Sequence, residues 1–410
     1  MTAQTLFIII IAIIVVDFFS EKIIEALNAK QYRNSLPNEV SDVYDSDAYE
    51  KSQNYKITNY KFRLWSSVIS FFVTLSFIVL DGFQYVDLFA RSYTQQPIVM
   101  ALIFFGIIGL ASSLIGLPFS YYKTFVIEEK FGFNKTSQKT FFLDFLKGLL
   151  MGGILGGGLM AFLIWLYQST TSNFWWLAWL VVTIFTVFMN LFYSRIIVPL
   201  FNKQTPLKES TLKQKIANYA NSVGFNLSKI FVINGSKRST KANAYFSGFG
   251  REKRVTLYDT LINDLEDEEI VAVLAHEVGH YKKHHIVFNL ITSIILTGIT
   301  FFILSIFISH PLLSQAVGVQ TPSFYVGLVT FGLIYAPISQ MTGLVINYIS
   351  RKFEYQADDY AKNTYKAEPL VSALKKLSKN SLSNLTPHQA YVFVYYSHPP
   401  LFKRIRNLMS

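Results

Sequence analysis

The sequence predicts an all-α membrane protein of seven transmembrane helices that carries a small α/β unit. Three observations predict it. Of 410 residues, 51% are hydrophobic and 15% charged, against roughly a quarter charged in an average soluble protein. Apolar runs lie near 5–20, 62–80, 98–120, 148–167, 174–194, 286–308 and 325–349, and a helix needs about 20 such residues to cross a bilayer. The one long polar stretch is 195–285, with the tail 350–410 as a second.

The first run has an uncharged N-terminus and no small-residue cleavage site, so it reads as a retained span and not a signal peptide. Asp17 and Arg63 fall at or near span ends, within reach of the interface. In the fourth run Gly148, Gly152 and Gly156 recur every four residues, with Gly153 and Gly157 beside them. That spacing predicts close helix packing. The runs divide the chain into a membrane region 1–200 with five spans, a polar unit 201–285, two spans within 286–350 and a C-terminal part 351–410 that completes the polar unit.

The net charge of +11 follows from topology. Connections 21–61, 121–147 and 195–285 and the tail are rich in Lys and Arg, whereas the three alternate connections contain only Arg91. This positive-inside pattern puts the N-terminus outside and the polar unit in the cytoplasm. It also accounts for the charge without a nucleic-acid partner. Within the polar unit, 211–223 reads as an amphipathic helix, and 229–234 and 253–258 read as strands. The acidic cluster Asp264–Glu269 suits a helix start.

The chemistry rests on His276-Glu277-Val278-Gly279-His280. Residues four apart share a helical face, so both imidazoles can bind one cation, while Glu277 can act as general base on the attacking water. With no cysteine in the chain, a metal must rest on His, Asp and Glu. A catalytic zinc usually has three protein ligands and one open position. Glu354 supplies the third, and Asp358, one turn on, can accept the second N–H of a ligand histidine. The chain crosses the membrane twice between His280 and Glu354, so they meet on one side.

The other histidines divide by the same test. His310 lies on the opposite membrane face and reads as a surface residue. His388 reads as a polar loop residue, and His284 and His285 as interfacial basic residues. His398 precedes Pro399 and Pro400, and the residues alone leave it open between a turn and an oxyanion-stabilising site residue. Asn243-Ala244-Tyr245-Phe246 is either an ordinary turn and strand or an edge strand that pairs with an extended peptide.

These residues resemble the type I CAAX prenyl protease family, membrane-integral zinc endopeptidases of the gluzincin clan. The resemblance also takes in Ser397-His398-Pro399-Pro400 with Arg404, and Thr124-Phe125-Val126-Ile127-Glu128-Glu129-Lys130-Phe131-Gly132-Phe133-Asn134. It implies a seven-helix barrel around a large water-filled chamber, one Zn2+ per chain, Glu277 as general base, and Asn243, His398 and Arg404 at the substrate or transition state. Lys241 and Ala242 stand where many members carry His and Ser. The expected partners are the bilayer and a peptide or protein substrate, with isoprenylated tails as the class eukaryotic members cleave. The compact length and lack of a retention tail suit a bacterial inner membrane, or the endoplasmic reticulum in a eukaryote. Two rival functions are a quality-control protease for misfolded membrane proteins and a metal-regulated transporter. Spans nearly free of ionisable residues disfavour the transporter.

Overall fold

A computed structural model gives the fold and describes all residues except 171–172, 226, 228 and 248–253. Helices α1 (Ala3–Ala29), α2 (Ser46–Val79), α3 (Gly82–Tyr93), α4 (Pro97–Tyr122), α5 (Gln138–Met151), α6 (Gly157–Thr170) and α7 (Phe174–Ile196) form the first half. A short α8 (Val198–Phe201) leads to strands β1 (Gln204–Pro206), β2 (Lys229–Ile233), β3 (Ala244–Ser247) and β4 (Arg254–Tyr258), with α9 (Thr211–Ser222) between β1 and β2. There follow α10 (Asp259–Asp264), α11 (Asp267–Lys282), α12 (His285–Phe307), α13 (Pro311–Gln315), α14 (Phe324–Thr364), α15 (Ala367–Asn380), α16 (Gln389–Tyr395) and α17 (Leu401–Met409).

Among the described residues six helical stretches are long and apolar enough to cross a membrane, and they carry the second to seventh expected runs. The first run also folds as a helix, α1, but is not one of the six. Six of the seven expected spans are thus found among the described residues as long apolar helices, and the first run folds as the 27-residue helix Ala3–Ala29.

The helices close a ring. α1 packs between α2 and α14, α3 joins α2 to α4, α6 joins α4 to α7, and α12 closes from α7 to α14. Only 6–17% of each span's most apolar window is buried. A tight bundle would bury the inward face of every helix; here both faces stay open, so the ring is hollow. One end is plugged, where Leu6, Ile10, Ile78, Phe104, Phe174 and Val326 share a core with α3 and α13. The sheet unit follows the opposite end of α7 from Phe174.

The expected close packing at the glycines is not found. A Cβ at Gly148, Gly152, Gly153 or Gly156 would meet nothing within 4 Å, and one at Gly157 only Leu102 Cδ2 at 3.7 Å. The chain widens to a π-helix over Gly152–Gly156. No neighbour follows it, and the glycines line a cavity of about 900 Å³ against α4.

In the polar unit the sheet order is β1-β2-β4-β3, parallel between β2 and β4 and otherwise antiparallel. The expected strand 253–258 is β4, with residue 253 outside the described residues. α9 is amphipathic as expected: Ser210 Oγ accepts from the Lys213 amide at 3.3 Å to cap it, and Leu212, Ile216, Tyr219 and Ala220 face the core.

Candidate metal centre and active site

The histidine helix α11 is fixed at its start. The Glu266 amide donates to Glu269 Oε2 at 2.8 Å in a capping box, and Asp267 and Glu268 lie in the first turn, at the positive end of the helix dipole. One turn apart, His276 and His280 bring their Nε2 atoms within 3.1 Å of each other. Helix α14 returns through the membrane to deliver Glu354, whose Oε2 is 3.5 Å from His276 Nε2 and whose Oε1 is 3.2 Å from His280 Nε2.

Gly279 permits this meeting. A Cβ there would sit 3.1 Å from Ala357 Cα and O and from Tyr360 Cβ. Replacing Gly279 by Val is therefore expected to wedge α11 from α14, cost about 1–3 kcal/mol of stability and lower metal content. Thermal midpoint and metal per chain would check it; wild-type values for both would refute the wedge.

The three donors fit zinc. Ligands about 2.0–2.1 Å from a tetrahedral zinc stand roughly 3.3 Å apart, which is the spacing found. Glu354 Oε2 is buried and accepts no hydrogen bond from the described residues, an unfilled acceptor that a bound cation would satisfy. Asp358 Oδ1 lies 2.8 Å from His276 Nδ1 and accepts its proton, leaving Nε2 free to bind. Arg404 holds Asp358 in turn, donating from Nε to Oδ2 at 2.8 Å and from Nη2 to Oδ1 at 2.6 Å. Its Nη1 is 3.4 Å from Glu354 Oε2. Burial lowers the His276 pKa, but the Asp358 and Glu354 carboxylates outweigh it and push it up to about 9. A proton and a metal thus compete for this nitrogen.

His398 stands in the site: its Nε2 is 3.3 Å from Glu354 Oε1 and its Nδ1 2.9 Å from Ser397 Oγ. Its side chain is 64% exposed, open to the cleft, yet protein surrounds the cleft, and that enclosure holds the imidazole below its ordinary value. Glu277, Ala242, Asn243 and Ala244 line the same cavity of about 450 Å³, with Leu370, Leu374 and Leu377 of α15 opposite. Among the described residues β3 pairs with β4 alone, so its other edge is unpaired in the sheet there. His310 and His284 are exposed, as expected. His388 is the N-cap of α16, its Nδ1 accepting from the Ala390 amide at 3.2 Å.

Residues 25–203 match the family described as CAAX prenyl protease N-terminal, five membrane helices, and residues 206–410 match peptidase family M48. The chain belongs to family M48. As a member it is a membrane-embedded metalloendopeptidase, and zinc is the family's metal. A relative in Saccharomyces cerevisiae, CAAX prenyl protease 1, is 34% identical, with 93% of this chain and 91% of that protein covered. The Mus musculus CAAX prenyl protease 1 homolog is 32% identical over 92% of this chain and 89% of that protein. The crystal structure of S. mikatae Ste24p superposes with a TM-score of 0.93 at 32% identity, covering 99% of both chains.

Replacing Glu354 by Ala in this M48 chain is expected to lower bound zinc well below one per chain and to remove activity with it, read by metal analysis of purified protein. Full zinc content would reject Glu354 as a ligand.

Two features of the M48 site lie outside what the sequence indicated. His285 is buried and contacts His280, against its expected place among interfacial basic residues. The cause is a break between α11 and α12, where His284 takes a left-handed φ of 60° and turns the next residue back toward the site. Two adjacent histidines at a helix junction were the available signal. The second feature is a brace between the membrane half and the loop before β3. Lys241 Nζ donates to Glu128 Oε2 at 2.7 Å and to Tyr55 OH at 2.9 Å. The Lys135 amide bonds Arg238 O at 3.0 Å, and the Thr240 amide bonds Phe133 O at 3.1 Å. Arg238 grips both oxygens of Asp144, at 2.8 and 3.0 Å. Lys241 thus anchors the approach to Asn243.

Proposed function

We propose that this enzyme cleaves peptide bonds near the C-terminus of CAAX-type protein tails that thread into its membrane chamber. One observation carries the reading: Glu277 and the His276, His280, Glu354 triangle share a cleft with an open strand edge, beneath a hollow ring of spans. An extended tail can add to the free edge of β3 at Asn243 and Ala244. Zinc, when bound by the triangle, supplies Lewis-acid polarisation of the scissile carbonyl. Glu277 takes the proton of the attacking water and passes it to the leaving amine. His398 donates a hydrogen bond to the developing oxyanion. Asp358 and Arg404 keep His276 in the tautomer that leaves Nε2 free. Enclosure restricts substrates to flexible tails. The charge alternation supports an active site on the cytoplasmic side, with the N-terminus outside.

The test is cleavage of a farnesylated C-terminal peptide and its unprenylated twin by purified protein. Cleavage that depends on the lipid supports the CAAX reading. Equal cleavage of both moves the function to a broader membrane protease.

A further inference from the structure

A chain of hydrogen bonds links the helices that carry the metal-binding residues, and no step above uses it. His285, the first residue of α12, is 2% exposed. Its ring lies flat on Phe353, with centroids 4.0 Å apart and planes within 10°. Its Nδ1 is 3.0 Å from His280 Nδ1, and its Nε2 is 2.8 Å from Gln356 Oε1. Gln356 lies two residues beyond Glu354 on α14.

The proton positions follow from donor counting. An amide oxygen only accepts, so His285 Nε2 carries the hydrogen toward Gln356. A neutral imidazole then has its lone pair on Nδ1. That lone pair faces His280 Nδ1, which must carry the hydrogen between them. His280 Nε2 is left with a lone pair, and it is this atom that lies 3.1 Å from His276 Nε2 and 3.2 Å from Glu354 Oε1.

We propose that His285 is a positioning residue for the metal centre. It fixes His280 as its Nδ1–H tautomer and aims Nε2 at the cation, while Gln356 fixes the proton on His285. The two ligand histidines are thus oriented by different chemistry. His276 donates to the carboxylate of Asp358, whose charge Arg404 balances. His280 donates to a neutral ring. A second carboxylate there would add a further negative charge beside Glu354, whose Oε2 already shares Arg404 with Asp358.

The proposal rests on the metal-centre reading, and the experiment separates the two. Zinc affinity is measured by chelator competition on the purified full chain in detergent, with the metal-free melting temperature as the check on folding. His285→Phe keeps a ring on Phe353 but removes the acceptor. His285→Asn gives up the stacking but places Oδ1 near the lost Nδ1. The expected result is about 10- to 100-fold weaker zinc binding in His285→Phe, with an unchanged melting temperature, and recovery of most of that loss in His285→Asn. A purely structural role for the ring gives the reverse order and overturns the proposal. So does wild-type affinity in His285→Phe alongside zinc loss in Glu354→Ala. Wild-type protein that takes up no zinc overturns the metal-centre reading itself. If His285→Phe does not fold, Gln356→Leu carries the test: weaker zinc binding supports the proposal, and unchanged binding overturns it.

Discussion

Replacing Glu277 by Ala is expected to reduce kcat by about 10²- to 10⁴-fold, the range for loss of a positioned general base, with zinc content unchanged. The two effects separate because of where the side chain sits. Glu277 follows His276 on α11 and lines the cleft, but the ligand triangle consists of His276, His280 and Glu354. Removing it takes away the proton acceptor and leaves the three donors in place. Turnover with a peptide substrate, paired with metal analysis of the same preparation, would check it. A variant that retains wild-type turnover, or that loses zinc with its activity, would show that Glu277 does something else.

The second large effect is on stability. Arg404 is buried and makes a two-point contact with Asp358, which is itself fully buried. Replacing Arg404 by Met leaves that carboxylate without its counter-charge, at a cost of about 3–5 kcal/mol. The effect should reach the metal, because Asp358 also orients His276. Changing Asp358 to Asn in the Arg404→Met background removes the stranded charge while keeping an oxygen for His276 Nδ1–H. The double variant should therefore melt well above the single one, a coupling expected of residues in one network. Equal melting temperatures for wild type and Arg404→Met would show that the pair contributes nothing.

The parts of this site that sequence makes legible are those with a fixed spacing or a topological constraint. His276 and His280 are one helical turn apart, so their convergence needs no tertiary information. Glu354 was reachable because two membrane crossings return the chain to the same side, and Asp358 because it is one turn from Glu354. What the sequence left obscure depends on contacts between distant segments or on a local break in geometry. His285 reaches His280 only because His284 interrupts the helix with a positive φ, which hydrophobic pattern does not reveal. The Lys241–Glu128 brace joins residues more than a hundred positions apart. The glycines of 148–157 carry a packing pattern, yet they line an open hollow, because spacing alone does not say whether a partner helix comes close.

The most direct test of the central claim is a strip-and-reload experiment on the full-length protein. Zinc is removed with a chelator, and peptide cleavage is followed as the metal is added back. The site geometry predicts that cleavage disappears on stripping and returns in proportion to zinc, reaching its plateau at about one ion per chain. Cleavage that survives in fully stripped protein would contradict it, because the His276, His280 and Glu354 triangle would then not be the source of the chemistry.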